Sequence, residues 1–410
     1  MDADLRALRA DLEAMRGALL SWFAANKRDL PWRVRYTPYE VWISEVMLQQ
    51  TQMERGVAYF RRWMRELPSV AALAAADEAT VMRLWEGLGY YSRARNLHAA
   101  ARVIAARPGG AFPDDIDALR ALPGVGEYTA AAIASIAFGK PVACVDANVE
   151  RIVARLFAIA TPLREEPAKS RLRAFAQALL PRDRAREHNQ AMMELGALIC
   201  GRKPLCGQCP LGPFCIARRT GREALLPVKP PRPEIVNATF AAAIVVTRKG
   251  VPVQKRPRTG IWPGLWQFPA CEPEEGVAPE KAALSLAEQL TGLRLRLERP
   301  LAPVRHSYTN HRIRLLAYVF SPVEDAASYG GQSPSFVGAG MASPTDGAAF
   351  PDAADTACSG RSGTGNSPDA PGTLGGAPTP ALRFVPVPDL AGLAMPAPHR
   401  RLAEAAFAAR

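Results

Sequence analysis

The chain has 410 residues, 48% of them apolar and 22% charged, and its 51 lysines and arginines outnumber 39 acidic residues for a formal net charge of +12. Such a length affords two or three domains with cores of their own, and the positive balance suits a polyanionic partner. No apolar run is long enough to span a bilayer, the N-terminal MDADLRALRADLEAM is a charged amphipathic helix rather than a signal peptide, and seven cysteines with four bunched argue against a secreted disulfide framework. A reducing cytoplasm, in association with the nucleoid, is the expected compartment.

Residues 1–27 read as a helix packed through its Leu, Met, Trp and Phe positions. After Leu30-Pro31-Trp32-Arg33, a helix following Pro38 carries Glu45 among Trp42, Ile43, Val46 and Leu48. Taken alone, a glutamate there reads as a surface or ion-paired residue. Held in apolar surroundings, its pKa would rise and it would serve as a general acid near neutrality. Residues 56–86 and 96–121 read as core helices and loops without chemistry. Between them, Tyr90-Tyr91 before Arg93-Ala94-Arg95 reads as a helix start with a solvated basic face.

Residues 119–148 organise the chain. Pro123 breaks a short amphipathic segment, Gly124-Val125-Gly126 makes a tight turn, and Tyr128 to Phe138 forms a helix of small residues. Glycines at 124 and 126 allow positive φ and a close backbone approach, and a turn of this kind presents N–H groups to a phosphate. Twenty-two residues after Gly124, Asp146 ends an apolar run and leads into a helix at Asn148, as an N-cap would. A protonated Glu45 beside an Asp146 kept ionised in a more polar setting is the pairing that breaks glycosidic bonds. Amphipathic helices continue to about residue 199, interrupted by a polar loop near 162–168, and Glu194 reads as a helix-surface acid by composition. Cys200, Cys206, Cys209 and Cys215 follow with the spacing C-x5-C-x2-C-x5-C, which fits either structural zinc or a 4Fe-4S cluster. Arg202, Lys203, Arg218, Arg219 and Arg222 in the same loops suit phosphates.

Residues 226–235 form a proline-rich linker. Beyond it come strands near 239–247, 251–255 and 312–320, an aromatic loop at 260–268 and a helix from Pro279 to Leu290. A strand and a closing helix resume after 381. Residues 324–380, rich in Gly, Ser, Ala, Pro and Asp, cannot bury enough apolar area and are expected to be a disordered insertion.

Leu122-Pro123-Gly124-Val125-Gly126 followed by Asp146 resembles the helix-hairpin-helix DNA glycosylase superfamily. Pro31-Trp32-Arg33 with Ser44 to Thr51, and Gly87 to Leu97, resemble its A/G-specific adenine DNA glycosylases (the MutY family). The resemblance implies a multidomain chain with all-α helix-hairpin-helix glycosylase domains and a 4Fe-4S cluster module, followed by an α+β Nudix-like domain. Residues 1–225 would be the helical catalytic region, with a six-helix barrel at about 30–147 and a cluster module from 1–29 and 148–225. Residues 236–323 plus 381–410 would be the Nudix-like lesion-recognition domain. Glu45 is then the acid that protonates adenine N7, Asp146 its partner, and Tyr128 occupies the catalytic position where the endonuclease III branch has a nucleophilic lysine. Arg33, Asn148 and Glu194 belong to the adenine pocket and its surroundings, Gln50 wedges into the duplex, and Tyr90 inserts next to the damaged guanine. Gly124 and Gly126 hold the hairpin against DNA, and Tyr308, Thr309 and Asn310 stand in the loop that reads 8-oxoguanine, where the family has Phe-Ser-His. The four cysteines would hold one 4Fe-4S cluster, their first gap one residue shorter than the family's.

The implied function is a monofunctional glycosylase, acting as a monomer on double-stranded DNA with A:8-oxoguanine or A:G mispairs in base excision repair. A bifunctional glycosylase/lyase is disfavoured by Tyr128. A catalytically inactive, cluster-bearing DNA-binding protein is disfavoured by the presence of both Glu45 and Asp146. In the Nudix-like part only Glu288 is acidic across Leu284 to Gly292, too few carboxylates for a magnesium site.

Overall fold

The structure is a computed structural model that describes residues 9–228, 234–258, 260–308, 310–323 and 382–408. The expected disordered insertion lies outside the described residues. Two units divide the chain, Met1–Arg232 and Pro233–Arg410.

The first unit is helical: α1 (Arg9–Asn26), α2 (Pro38–Leu48), α3 (Met53–Glu66), α4 (Val70–Ala75), α5 (Glu78–Trp85), α6 (Ser92–Ala105), α7 (Ile116–Arg120), α8 (Glu127–Ala132), α9 (Ala147–Leu156), α10 (Ala168–Leu179), α11 (Ala185–Leu198) and α12 (Ile216–Arg219). Local chemistry sets many of the starts. Thr37, Ser69, Asp77, Asp115 and Asp146 each accept a backbone N–H of the first turn that would otherwise lack a partner. One core joins Leu12, Met15, Leu19 and Phe23 of α1 to Val149, Ile152 and Val153 of α9, Phe175 of α10 and Leu195 of α11. The N-terminal helix thus packs with the helices that follow Asn148. The expected helix from Tyr128 to Phe138 departs from regularity. After Ala132 it widens into a π-turn over Ile133–Ala137, and Ser135 there receives Asn189 Nδ2 at 2.8 Å. At the other end of this unit, Leu226 is buried and its carbonyl accepts Arg155 Nε at 2.9 Å, so the first linker residue is part of the helical core.

In the second unit, β4 (Ala270–Cys271), β1 (Val236–Val245), β7 (His311–Pro322) and β5 (Leu295–Pro300) form a sheet in that order, and β6 (Val304–Tyr308) also pairs with β7. A smaller sheet has the order β3 (Trp266–Gln267), β2 (Val251–Lys255), β8 (Leu382–Val385). α13 (Pro279–Thr291) buries Ala283 and Ala287 on one face of the large sheet, and α14 (Ala397–Phe407) contributes Leu402 and Ala403 to the core on the other. α13 stops at Gly292, whose φ of +68° is the left-handed cap that glycine tolerates. The stretch from Arg305, expected as a loop, is the strand β6. Asn310 lies in the turn before β7, and β5 is a further strand, in a stretch where Leu293, Leu295 and Leu297 alternate with Arg294, Arg296 and Glu298.

Candidate active site

Glu45 sits on α2, a helix started by Thr37 and Pro38 and buried from Tyr39 through Met47. A helix apolar nearly all round cannot keep one side at the surface, so the reading of Glu45 as a surface acid fails; the residue is 8% exposed. Burial pushes its carboxyl up to about 7, and the Asp146 charge adds to that rise. The Tyr128 hydroxyl, which donates to Oε2, and the Arg33 charge oppose it. Glu45 is therefore about half protonated near neutrality. Tyr128 lies with its hydroxyl 3.2 Å from Met193 Sδ, and its own pKa is raised well above the ordinary value, first by burial and then by the two carboxyls. A phenol in that state stays protonated.

Asp146 caps α9. Its Oδ1 accepts the N–H of Asn148 at 3.0 Å and of Val149 at 2.8 Å, and Oδ2 accepts Asn148 Nδ2 at 2.8 Å. The setting is polar, as expected, yet burial still moves this carboxyl up from the usual aspartate range, against the pull of those donors. All three donors and the positive end of α9 favour the ionised form. Asn148 is held in turn by Arg151 Nη2 on its Oδ1 at 2.9 Å, and Arg151 Nε donates to the Cys200 carbonyl at 2.6 Å. Gly196 makes this possible: a Cβ there would come within 2.4 Å of Asn148 Cβ. The glycine inside Met193-Glu194-Leu195-Gly196 was the only signal in the sequence for this close approach of α11 to α9.

Glu45, Tyr128, Asp146 and Asn148 line a cavity of about 770 Å³ together with Arg33, Gln50 and Glu194. Glu194 is 2% exposed, which corrects its reading as a helix-surface acid. It receives Arg28 through the backbone N–H at 3.0 Å, Nε at 2.7 Å and Nη2 at 3.0 Å, and Arg33 Nη2 at 2.9 Å. Burial alone would raise its pKa; the two guanidiniums outweigh burial and lower it. Arg28 carried no distinguishing signal in the sequence, since Lys27-Arg28-Asp29 is an ordinary polar stretch.

Gln50 and Tyr90 share an uncommon backbone state, φ +57° and +47°. Arg93 joins their two turns. Its Nη1 donates to the carbonyls of Val46 at 2.8 Å and Gln49 at 2.7 Å, its Nη2 to those of Leu88 at 3.1 Å and Gly89 at 3.0 Å, and its plane lies over Trp85. The reading of Arg93 as part of a solvated basic face is thus corrected: it is half-buried, and burial lowers its pKa to about 10. Tyr90 does not line the cavity, nor do Gly124 and Gly126. Gly124 has φ +71°, and a Cβ there would strike Asn96 at 2.4 Å. Gly126 has an ordinary negative φ of −83° and precedes α8, so only the first glycine needs its conformational freedom.

Cys200, Cys206, Cys209 and Cys215 line one small cavity with Arg155 and Arg218. Among the described residues no three His, Cys, Asp or Glu side chains are gathered as ligands of a single metal ion. The donor set nevertheless fits a thiolate-bound group. Arg155 Nη1 lies 3.3 Å from Cys200 Sγ, and a Cβ on Gly212 would meet Arg218 Nη1 at 2.2 Å, so the glycine lets that guanidinium close over the loop.

In the second unit Tyr308 pairs with His311 at the end of the β6–β7 hairpin, and Thr309 lies outside the described residues. Asn310 Nδ2 donates to the Glu234 carbonyl at 2.9 Å, so this amide is already engaged in tying the turn to the entry of β1. Glu288 accepts the N–H of Leu295 at 2.8 Å, a structural use for the acid that stood alone in its stretch.

The profile of the HhH-GPD superfamily of base excision DNA repair proteins matches residues 43–181, and that of the NUDIX domain matches residues 241–355. The adenine DNA glycosylase of Homo sapiens is 36% identical over 372 residues, which span 75% of this chain and 67% of that protein. The adenine DNA glycosylase of Mycobacterium tuberculosis (strain H37Rv) is 45% identical over 209 residues, 50% of this chain and 67% of its own. A third, from Buchnera aphidicola of Acyrthosiphon pisum, is 33% identical over 259 residues, 63% of this chain and 74% of its own.

Proposed function

The chain belongs to the adenine DNA glycosylases, and from that membership we propose that it hydrolyses the N-glycosidic bond of adenine facing 8-oxoguanine or guanine in duplex DNA, as a monomer and without cutting the strand. The observation that carries the chemistry is one cavity lined by a carboxyl with a pKa of about 7, Glu45, and a second, Asp146, held by three donors. Glu45 gives its proton to the adenine leaving group. Loss of the base leaves positive charge on the sugar, which the Asp146 carboxylate offsets. Tyr128 holds the Glu45 carboxyl in place. Arg33, fixed by Glu194, forms the polar wall against which the flipped adenine is oriented. Among the described residues no lysine lines the cavity, which supports a hydrolytic rather than a Schiff-base route.

Gln50 and Tyr90, on turns fastened by Arg93, enter the duplex beside the extruded base, and the hairpin at Gly124 to Gly126 grips the backbone. Tyr308, Thr309 and Asn310 read the damaged guanine, with the Asn310 amide acting by shaping the turn. Cys200, Cys206, Cys209 and Cys215 hold one 4Fe-4S cluster, which when bound supplies an iron-thiolate brace for the surrounding loops. No disulfide joins the six described cysteines, no helix among the described residues is long and apolar enough to cross a membrane, and we place the protein in a reducing cytoplasm at the nucleoid.

Two measurements test this reading. Incubation with a duplex carrying adenine opposite 8-oxoguanine should create abasic sites that become breaks only after alkali; breaks without alkali would indicate a lyase, and no abasic sites would refute the activity. Iron, sulfide and zinc analysis should return about four irons per chain with a yellow-brown absorbance that Cys206→Ser removes. Stoichiometric zinc without sulfide would replace the cluster with a structural zinc.

A further inference from the structure

One face of the large sheet changes character along its length. Parallel pairing sets Asn237 of β1 against Arg312 of β7, Thr239 against Arg314, Ala241 against Leu316 and Ala243 against Tyr318. Antiparallel pairing sets Arg305 of β6 against Arg314 and Ser307 against Arg312. Side chains alternate with a period of two, so all of these project from the same face. At one end of it, Ala241, Ala243, Val245 and Phe320 are buried under α13. At the other, Asn237, Thr239, Arg305, Ser307, Arg312 and Arg314 surround an open depression of about 380 Å³.

Solvent exposure explains why this half is polar; it does not explain why three of the six are arginines. An exposed sheet face is stabilised by opposite charges across the strands and destabilised by like charges directly opposed. Arg305 and Arg314 are so opposed, and among the described residues no carboxylate lines the depression. None of the three arginines has an ion-pair partner among the described residues. Such an arrangement lowers its energy when an anion arrives. A strand rises about 3.4 Å per residue, so Arg312 and Arg314 stand roughly 7 Å apart, a spacing that serves neighbouring phosphates of one strand. A free nucleotide is a poorer fit, because among the described residues no Phe, Tyr or Trp lines the depression to stack a base, and the ring of His306, which does line it, lies against Trp262.

We propose that this open half-face seats the sugar-phosphate backbone of duplex DNA, with Arg305, Arg312 and Arg314 on phosphates and Thr239 and Ser307 as hydroxyl donors beside them. The proposal rests on duplex DNA being the partner, as above. It adds a sequence-independent grip on the same sheet as the β6–β7 turn, so the turn would be carried to the lesion strand by contacts that do not themselves read it.

The test is equilibrium binding of the full-length protein to an unmodified duplex between about 50 and 200 mM salt. Each phosphate deprived of its arginine should flatten the slope of log affinity on log salt by about 0.9, so the triple change Arg305→Gln, Arg312→Gln, Arg314→Gln should lower it by roughly 2–3. The triple change to lysine should keep the wild-type slope, because counterion release follows charge. An unaltered slope and affinity in the glutamine variant, melting as wild type does, would overturn the proposal. If that variant melts early, Arg312→Gln alone, at an exposed position, decides by whether the slope falls by about 0.9. Stoichiometric binding of dGTP with an unchanged DNA slope would overturn it in favour of a nucleotide subsite. Adenine excision by the wild-type chain is assayed alongside, so a failure of the enzymatic reading is told apart from a failure of this surface.

Discussion

The cavity of the helical unit is lined by two buried glutamates, and they are tuned in opposite directions. Glu45 is 8% exposed and Glu194 is 2% exposed. Desolvation disfavours the charged form of both. Around Glu45 the neighbours are apolar side chains, the Asp146 carboxyl, a phenol and the more distant charge of Arg33; burial prevails over the last two and the carboxyl rises to about 7. Around Glu194 the neighbours are two guanidiniums donating four hydrogen bonds with the Arg28 backbone included, and the carboxyl falls below its usual range. Two buried glutamates thus become an acid in one case and a carboxylate held in its charged form in the other. What separates a proton donor from a structural strut here is the company of the side chain.

The largest break in this comparison should come from Glu45→Gln, which keeps shape and removes the transferable proton. Excision should fall roughly a hundred- to ten-thousandfold while duplex binding persists, measured by single-turnover kinetics and a gel-shift titration. Near-normal turnover would remove Glu45 from the mechanism. Asp146→Asn should come next. Asparagine caps a helix nearly as well as aspartate, so the fold should survive, and loss of the charge should slow excision on the order of a hundred- to a thousandfold. A variant that unfolds instead would mean that the cap was the residue's main contribution.

Arg33→Met sharpens the other half of the comparison. Glu194 keeps Arg28 but loses one charge-assisted bond, which should cost about 2 kcal/mol and lower the melting temperature accordingly. An unchanged melting curve would show that Arg28 alone holds the anion. The smallest effect is expected from Tyr128→Phe. The tyrosine hydroxyl stabilises the charged form of Glu45 and lowers its pKa, so its removal should raise that pKa further. The active form is protonated, so activity is lost as pH rises through the pKa. The alkaline limb of the pH–rate profile should accordingly move to higher pH, by about one unit or less. A limb that moves to lower pH would mean that the hydroxyl favours the neutral acid.

Legibility in the sequence followed the range of the interaction. Asp146 before Ala147 is a cap, made within three residues, and its place was plain. The four cysteines declared themselves by spacing, and the alternating strand His311–Pro322 by its period of two. Arg93 did not. Its residue type suits a solvated helix face, and only the approach of α2 to the turn before α6 supplies the carbonyls that it holds. The same is true of Glu194, a helical glutamate until α1's exit brings Arg28 to it.

By itself the sequence determined which groups are available: two carboxyls and a tyrosine near a hairpin, a set of thiols, and a single acid, Glu288, between Leu284 and Gly292. Family likeness then said which of them to watch. Tertiary structure decided their states. The proton on Glu45, the charge on Glu194 and the unopposed arginines of the sheet face all depend on residues far away in the chain. A side chain's ionisation is set by the dielectric and charges within a few ångströms, and the order of residues along the chain does not specify those until it has folded.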